Sequence, residues 1–189
     1  MTLTERLQAT QRALQSGMKK EITRAAILGE RAAKLLLTGQ SLHVRSGRLR
    51  ASVQSNVKDL DGEWLLSLRA GGGERDVRYA SIHEKGGVIR PVHGKYLAIP
   101  LPIARTAAGV SRYKSPRDVP VPLTFAQSRK GQPLLVESSG KNAGRPWYVL
   151  RRQVVMPARP YLAPALRQVE PVLAERLEML CKRTLEGTL

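Results

Sequence analysis

The fold is decided first by the opening segment of the chain, residues 3–39, which reads LTERLQATQRALQSGMKKEITRAAILGERAAKLLLTG. Its apolar residues recur every three or four positions, with one gap of seven, at Leu3, Leu7, Leu14, Met18, Ile22, Ala25, Gly29, Ala32 and Leu36. This spacing follows one face of a period of about 3.6 residues, so it predicts an amphipathic helix over residues 4–38. Thr2 and Glu5 match a capping box at its start, and Gly39 suits its end.

A helix of that length spans about 52 Å at about 1.5 Å per residue. Such a helix overhangs a domain of 189 residues. We therefore expect it to pack on a neighbouring subunit as well as on its own core. Gly17 and Gly29 are the positions at which it would divide or bend.

Working outward, residues 40–103 change to short β runs and turns, which indicate a sheet core. In chain order we predict a strand at 53–57, a turn at 59–62, a strand at 64–68, a helical turn at 79–85 ended by Gly86-Gly87, and strands at 88–89 and 96–99.

Residues 104–146 contain five prolines and four glycines and offer little material for a core, which predicts an extended loop or arm. Residues 148–156 alternate weakly and predict a last strand. Apolar residues spaced by three or four positions predict a second amphipathic helix over 161–184, with Pro171 as a kink or as its true start. They are Leu162, Leu166, Val169, Leu173, Leu177 and Leu180. Together these segments predict one domain: helix 1–39, sheet core 40–103, basic loop or arm 104–146, and last strand and helix 147–189.

The chain is strongly basic, with 32 Lys and Arg against 15 Asp and Glu. The excess is densest over residues 105–159, where eleven bases face only Asp118 and Glu137. Such a field favours a polyanion or an acidic protein surface, although a solvated loop that aids solubility is the alternative. The candidate interface or polyanion-facing residues are Arg112, Lys114, Arg117, Arg129, Lys130, Lys141, Arg145, Arg151, Arg152 and Arg159.

No catalytic, cofactor or metal site is legible. His83-Glu84 begins like a zinc-protease motif, but Gly87 stands where the second histidine should be, and nucleophile elbows and phosphate-binding glycine loops are lacking. The single Cys181 excludes a disulfide framework within the chain, and no apolar run reaches the roughly 18 residues of a membrane helix. No signal peptide is visible. Eight aromatics are too few for a base-stacking platform, so any DNA contact would be to phosphates without sequence readout.

Three patches in order, 46–52, 79–87 with the β run 96–100, and 158–166, together resemble the neck and tail-completion proteins of long-tailed bacteriophages and the related virion-morphogenesis proteins. The family pattern is a Thr/Ser-Gly-x-Leu-x-x-Ser step, a Tyr-Ala-x-x-x-Glu-x-Gly step and an Arg-Pro-Phe/Tyr-Leu step. The matching positions are Ser46, Gly47, Leu49, Tyr79, Glu84, Gly86, Pro160, Tyr161 and Leu162. The basic stretch 104–146 departs from the family.

The resemblance implies an α+β fold, a small antiparallel sheet flanked by a long N-terminal helix and a C-terminal helix. It implies a structural protein without catalysis that forms a homo-oligomeric ring, usually a hexamer, where the phage tail meets the head. The expected partners are copies of itself, tail tube or terminator proteins, head connector proteins and genome DNA in the lumen, with no membrane. The expected location is the virion, after synthesis in the host cytoplasm.

Within these patches, Glu84 is expected either to pair with an arginine of this or the next subunit or to be a lone surface acid. Tyr161 and Leu162 are expected to anchor in the core. Arg159 would oppose the dipole of the helix that follows, so it is expected to bond elsewhere.

Two functions follow from the sequence. The first is a virion structural protein, a ring subunit for tail completion and head-tail joining. The alternative, which rests on charge alone, is a basic DNA-binding protein without sequence specificity.

Overall fold

The computed structural model describes residues 2–40, 47–71 and 79–187 of the chain. It divides into two compact units. Unit 1 comprises Met1–Lys85 and Arg159–Leu189, and unit 2 comprises Gly86–Ala158. This division differs from the single domain that the sequence predicted.

Unit 1 is built on the long N-terminal helix α1, Leu3–Leu35, after which the backbone turns out of the helical conformation at Thr38 and at Gly39, where φ is 129°. The predicted capping box is present, since the Thr2 side chain accepts from the Glu5 N–H and the Glu5 carboxylate accepts from the Thr2 N–H at 2.7 Å. α1 runs without a break through Gly17 and Gly29, so the predicted division is wrong.

Those two glycines serve packing instead. A Cβ atom at Gly17 would lie 2.7 Å from the Leu180 side chain, and one at Gly29 would lie 3.3 Å from the Leu68 side chain. The missing side chains therefore let a second helix and a strand approach the α1 backbone closely.

The other elements of unit 1 are α2 (Arg48–Ala51), β1 (Gln54–Leu60), β2 (Glu63–Arg69), α3 (Ala80–Lys85) and α4 (Leu162–Leu185). β1 and β2 form the predicted antiparallel hairpin. α4 starts at Leu162 and runs through Pro171, so the proline does not mark its beginning. α1 and α4 pack antiparallel and are joined by an ion pair from Arg176 to Glu21 at 3.2 Å.

The core of unit 1 lies where α1, the hairpin and the start of α4 meet. Its buried members are Ala33, Leu37, Val53, Leu68, Tyr161 and Ala165. Leu162 packs against this cluster, as predicted, but Leu166 on the apolar face of α4 remains 36% exposed.

Unit 2 contains six strands: β3 (Gly87–Ile89), β4 (Leu97–Pro100), β5 (Leu123–Gln127), β6 (Pro133–Glu137), β7 (Pro146–Arg151) and β8 (Val154–Met156). Four of them form an antiparallel sheet in the order β4-β7-β6-β5, and β3 pairs with β8. Ala104, Val119, Trp147 and Tyr148 form its core.

Residues 104–146 are therefore not an extended arm, and that part of the prediction is wrong. The segment supplies β5, β6 and two members of the core of unit 2. Its prolines do not prevent pairing because Pro133 and Pro146 occupy the first position of their strands, where proline is tolerated. The predicted last strand, 148–156, is divided between β7 and β8, which belong to different sheets. The fold class is α+β, as predicted, with long helices at both ends and small antiparallel sheets.

Candidate functional site

The carboxylate of Glu84, at the end of α3, binds the N-terminus of α4. It accepts hydrogen bonds from the backbone N–H groups of Tyr161 at 2.8 Å, Leu162 at 3.0 Å and Ala163 at 3.0 Å. These are donors that a helix leaves unpaired in its first turn, and a negative charge there is favoured by the helix dipole. Glu84 therefore acts as a cap supplied from a distant part of unit 1. Within the described residues Glu84 forms no ion pair with an arginine, and its three backbone partners show that it is not a lone surface acid.

Tyr161 fixes the same junction from inside the core. Its ring is fully buried, and its hydroxyl donates to the Ala80 carbonyl oxygen at 3.4 Å. Burial, together with the nearby negative charge of Glu84, raises the pKa of Tyr161 to about 12. The prediction that Tyr161 anchors the core is confirmed.

The backbone around this junction is equally constrained. The Arg159 N–H donates to the His83 carbonyl oxygen at 2.7 Å, while the Arg159 side chain is exposed. The exposed ring of Tyr79 stacks edge-on against His83, with ring centres 5.7 Å apart.

Gly86 opens unit 2 with a positive φ of 71°. A Cβ atom there would lie 2.7 Å from the Ala158 backbone nitrogen and 3.0 Å from the Met156 carbonyl oxygen. Glycine at 86 is therefore required both by its conformation and by the close approach of two backbone segments.

The first patch contributes to the core of unit 1 through Leu49. Gly47 adopts the left-handed conformation, with φ of 69°, directly before α2. Leu49 then packs on the cluster that also buries Tyr161. Ser46 lies outside the described residues. Leu49, Tyr161 and Leu162, from the first and third patches, thus contribute to one core, and Glu84 of the second patch holds the helix on which that core depends.

The ten basic candidate residues are all exposed, and all except Arg159 lie in unit 2. They occupy the β4–β5 connection, the β5–β6 turn, the β6–β7 connection and the end of β7. Unit 2 carries twelve Lys and Arg against two acids, Asp118 and Glu137.

Neither acid of unit 2 neutralises these bases. Asp118 accepts from the Ser115 N–H at 2.9 Å and caps a short 3₁₀ turn. Glu137 is buried, with its carboxylate 3.5 Å from the Trp147 indole nitrogen. Among the described residues, no base of unit 2 forms an ion pair with either acid. The surface of unit 2 therefore presents an almost unopposed positive charge.

α1 extends beyond α4 in unit 1. Leu180 lies against Gly17, and α4 ends five residues later at Leu185, whereas α1 reaches back fourteen residues to Leu3. At about 1.5 Å per residue, about 13 Å of α1 has no α4 beside it. Leu3 and Leu7 lie on this overhang and are 74% and 63% exposed.

The described residues contain neither a candidate metal site nor a candidate membrane span. No group of three His, Cys, Asp or Glu residues there could hold a metal ion, and no helix there is long and apolar enough to cross a membrane.

The chain matches no family model, no curated protein and no solved structure. Its function is therefore inferred from its residues and their geometry.

Proposed function

We propose that this chain is a structural subunit of a bacteriophage virion, which forms a ring, with six copies as the expected number, that completes the tail and joins the tail tube to the head connector. Six of the residues that resemble the neck and tail-completion proteins have structural reasons for their identity: Gly47, Leu49, Glu84, Gly86, Tyr161 and Leu162. That relationship is the observation that carries the proposal.

The clearest case links the second and third patches. The glutamate of the second, Glu84, receives three backbone hydrogen bonds from the start of the third, at Tyr161, Leu162 and Ala163. The junction uses the glutamate of the second patch, the glycine two residues after it, and the buried tyrosine of the third patch. The second and third patches therefore belong to one structural junction, which supports reading them together.

The overhang of α1 supports the assembly part of the proposal. Leu3 and Leu7 stand one helical turn apart on a stretch with no α4 beside it. Exposed leucines at that spacing form an apolar stripe, which a neighbouring copy would cover in a ring. Isolated exposed leucines are common, but two aligned on an overhanging helix favour an interface.

The positive surface of unit 2 supports a position against a polyanion or an acidic neighbour. Duplex DNA passing a ring would meet phosphate-facing Lys and Arg side chains, which attract DNA without selecting a sequence. Acidic surfaces of the tail tube or connector would be attracted in the same way.

Size measurement and particle imaging test the proposal. The purified chain is expected to run as a ring in size-exclusion chromatography with light scattering, and antibodies against it should label the tail-head junction of phage particles. A chain that stays monomeric at every concentration and is absent from particles would refute the proposal.

The second candidate is a basic DNA-binding protein without sequence specificity, favoured by the bases of unit 2, which form no ion pair within the described residues. It predicts micromolar duplex affinity that falls steeply with salt, together with a monomeric state and absence from virions. Particle composition therefore separates the two functions.

A further inference from the structure

Unit 2 contains a shallow cleft of about 470 Å³ on the connection between β4 and β5. Two arginines line it, Arg105 and Arg112, together with Pro102, Thr106, Ala107 and Gly109. Arg112 is one of the ten candidate residues predicted from the sequence. Arg105 belongs to the same basic segment but is not one of those ten.

The backbone beneath the cleft is held rigidly. Arg105 and Ser111 form an antiparallel bridge, and the Arg112 N–H donates to the Ala104 carbonyl oxygen at 2.9 Å. The Thr106 N–H donates to the Val110 carbonyl oxygen at 2.8 Å, which closes the turn between the two arginines. Both side chains therefore project from a small, preorganised hairpin.

The Arg112 guanidinium is also oriented. Its Nε donates to the Arg105 carbonyl oxygen at 2.7 Å. The hydrogen bond limits the rotation of a side chain that is otherwise exposed. An oriented guanidinium loses less conformational freedom when it binds an anion.

Arg105 has an unused donor. Its Nε is buried and has no acceptor within hydrogen-bonding distance among the described residues. A buried donor of a charged group without a partner is costly. An anion that enters the cleft and reorients the Arg105 guanidinium would supply the missing acceptor.

We infer that the cleft between Arg105 and Arg112 binds a phosphate group of a nucleic acid backbone. Guanidinium forks match phosphate oxygens, and the two local acids, Asp118 and Glu137, are held in other contacts. Twelve bases in one unit match a polymer with a negative charge at every nucleotide better than a protein surface of mixed charge. The inference deepens the proposed function at its polyanion-facing surface, and it does not require a ring.

The test measures the affinity of the full chain for a 20-base-pair duplex by fluorescence anisotropy, at several salt concentrations. Arg112→Gln is expected to weaken binding about tenfold at low salt, because a charge-assisted hydrogen bond is lost. Arg117→Gln is the matched control, since it removes the same charge from an exposed arginine of the same connection outside the cleft. We expect it to weaken binding about twofold, as a loss of general attraction.

A second pair of variants separates geometry from charge. Arg112→Lys keeps the charge but loses the fork, so we expect it to weaken binding severalfold, whereas Arg117→Lys should change nothing. Arg105→Gln should match Arg112→Gln. If Arg105→Gln fails to fold, the Arg112 pair still decides the question.

Equal effects at Arg112 and Arg117 would overturn the inference, because only net charge would then matter. Tighter binding of polyglutamate than of duplex, lost in Arg112→Gln, would overturn it in favour of a carboxylate site. A monomeric chain whose DNA affinity depends on Arg112 would keep this inference while removing the ring. A ring with no Arg112 dependence would do the reverse.

Discussion

Glu84 and Tyr161 lie 77 residues apart in sequence, yet the Glu84 carboxylate accepts the Tyr161 backbone N–H at 2.8 Å and so caps the helix that begins one residue later. The contact joins a short helix of six residues to the C-terminal helix of 24 residues. Loss of the carboxylate leaves helix donors unpaired near a buried core.

Glu84→Ala should lower the free energy of unfolding by about 2–4 kcal/mol, because charge-assisted hydrogen bonds to the start of α4 disappear. Glu84→Gln, which keeps one acceptor oxygen, should cost about half as much. Urea titration followed by circular dichroism measures both. Glu178→Gln is the control, since that exposed acid pairs with Lys182 one turn away and its loss should lower the stability far less than the loss of Glu84. Equal costs at positions 84 and 178 would contradict the capping role.

Gly86→Ala and Gly94→Ala separate backbone conformation from backbone contact. Both glycines have positive φ, 71° and 84°, but nothing lies within 4 Å of a Cβ at Gly94. Gly94→Ala should therefore cost about 1 kcal/mol of conformational strain. Gly86→Ala should cost at least about 2 kcal/mol more, because its Cβ would meet the Ala158 nitrogen at 2.7 Å. Thermal unfolding of the two variants would disprove this account if their losses were the same.

Tyr161 should make unit 1 less stable in strong alkali. Its pKa in the folded chain is raised to about 12 by burial and by the Glu84 charge, whereas the ordinary value is 10.0. Between these values the unfolded chain releases the phenolic proton and the folded chain retains it. The stabilisation is therefore complete below pH 10 and declines as the pH rises towards 12.

Urea midpoints for the chain and for Tyr161→Phe, taken from pH 9 to pH 11.5, would reveal this decline. The phenylalanine variant should lose less stability over that range, and Tyr96→Phe serves as the control for loss of a phenol in unit 2. Parallel curves for the chain and Tyr161→Phe would exclude the effect.

The leucines of the α1 overhang should matter for assembly and not for folding. Leu3→Gln combined with Leu7→Gln should reduce the ring to smaller species in light scattering, because the apolar stripe is lost. The free energy of unfolding should change by less than about 0.5 kcal/mol, since both side chains are mostly exposed. Leu60→Gln, at another exposed leucine of unit 1, is the control and should leave the ring intact. Unchanged assembly of the double variant would argue against this interface.

Charge reversal on the β5–β6 turn should weaken contact with a polyanion. The double variant Arg129→Glu and Lys130→Glu is expected to lower the affinity for duplex DNA. The slope of log affinity against log salt concentration should fall by the amount that corresponds to about two phosphate contacts. The turn is held by backbone hydrogen bonds between Ser128 and Gln132 and between Gly131 and Ser128, so the melting temperature should stay within about 2 °C of the unaltered chain. A large loss of melting temperature would instead assign these bases a role in folding.

Local patterns predicted the helices well. The period of α1 continues over its whole length, and its capping box needs only Thr2 and Glu5. The hairpin of β1 and β2 is also predicted from a local pattern, because apolar and polar residues alternate on both sides of the turn at Asp61-Gly62. Such elements depend on neighbours in sequence, so the sequence alone specifies them.

The rest depends on contacts between distant residues. The partners of Glu84 are backbone N–H groups, which leave no trace in the side-chain pattern. β5 and β6 were missed because prolines marked their segment as a loop, although Pro133 begins a strand and β6 pairs on both sides. Arg105 was not singled out because its importance comes from burial of Nε, which no spacing reveals.

The chain enters unit 2 at Gly86 and leaves it at Ala158, and these two backbones run close together, with Gly87 paired to Met156. Unit 2 is thus an insertion in the sequence of unit 1, and its first and last strands, β3 and β8, pair with each other. An inserted unit whose ends lie close together can be lengthened, shortened or exchanged without changing the fold of the unit that contains it. The charge of unit 2 can therefore be changed by substitution without altering the junction built on Glu84.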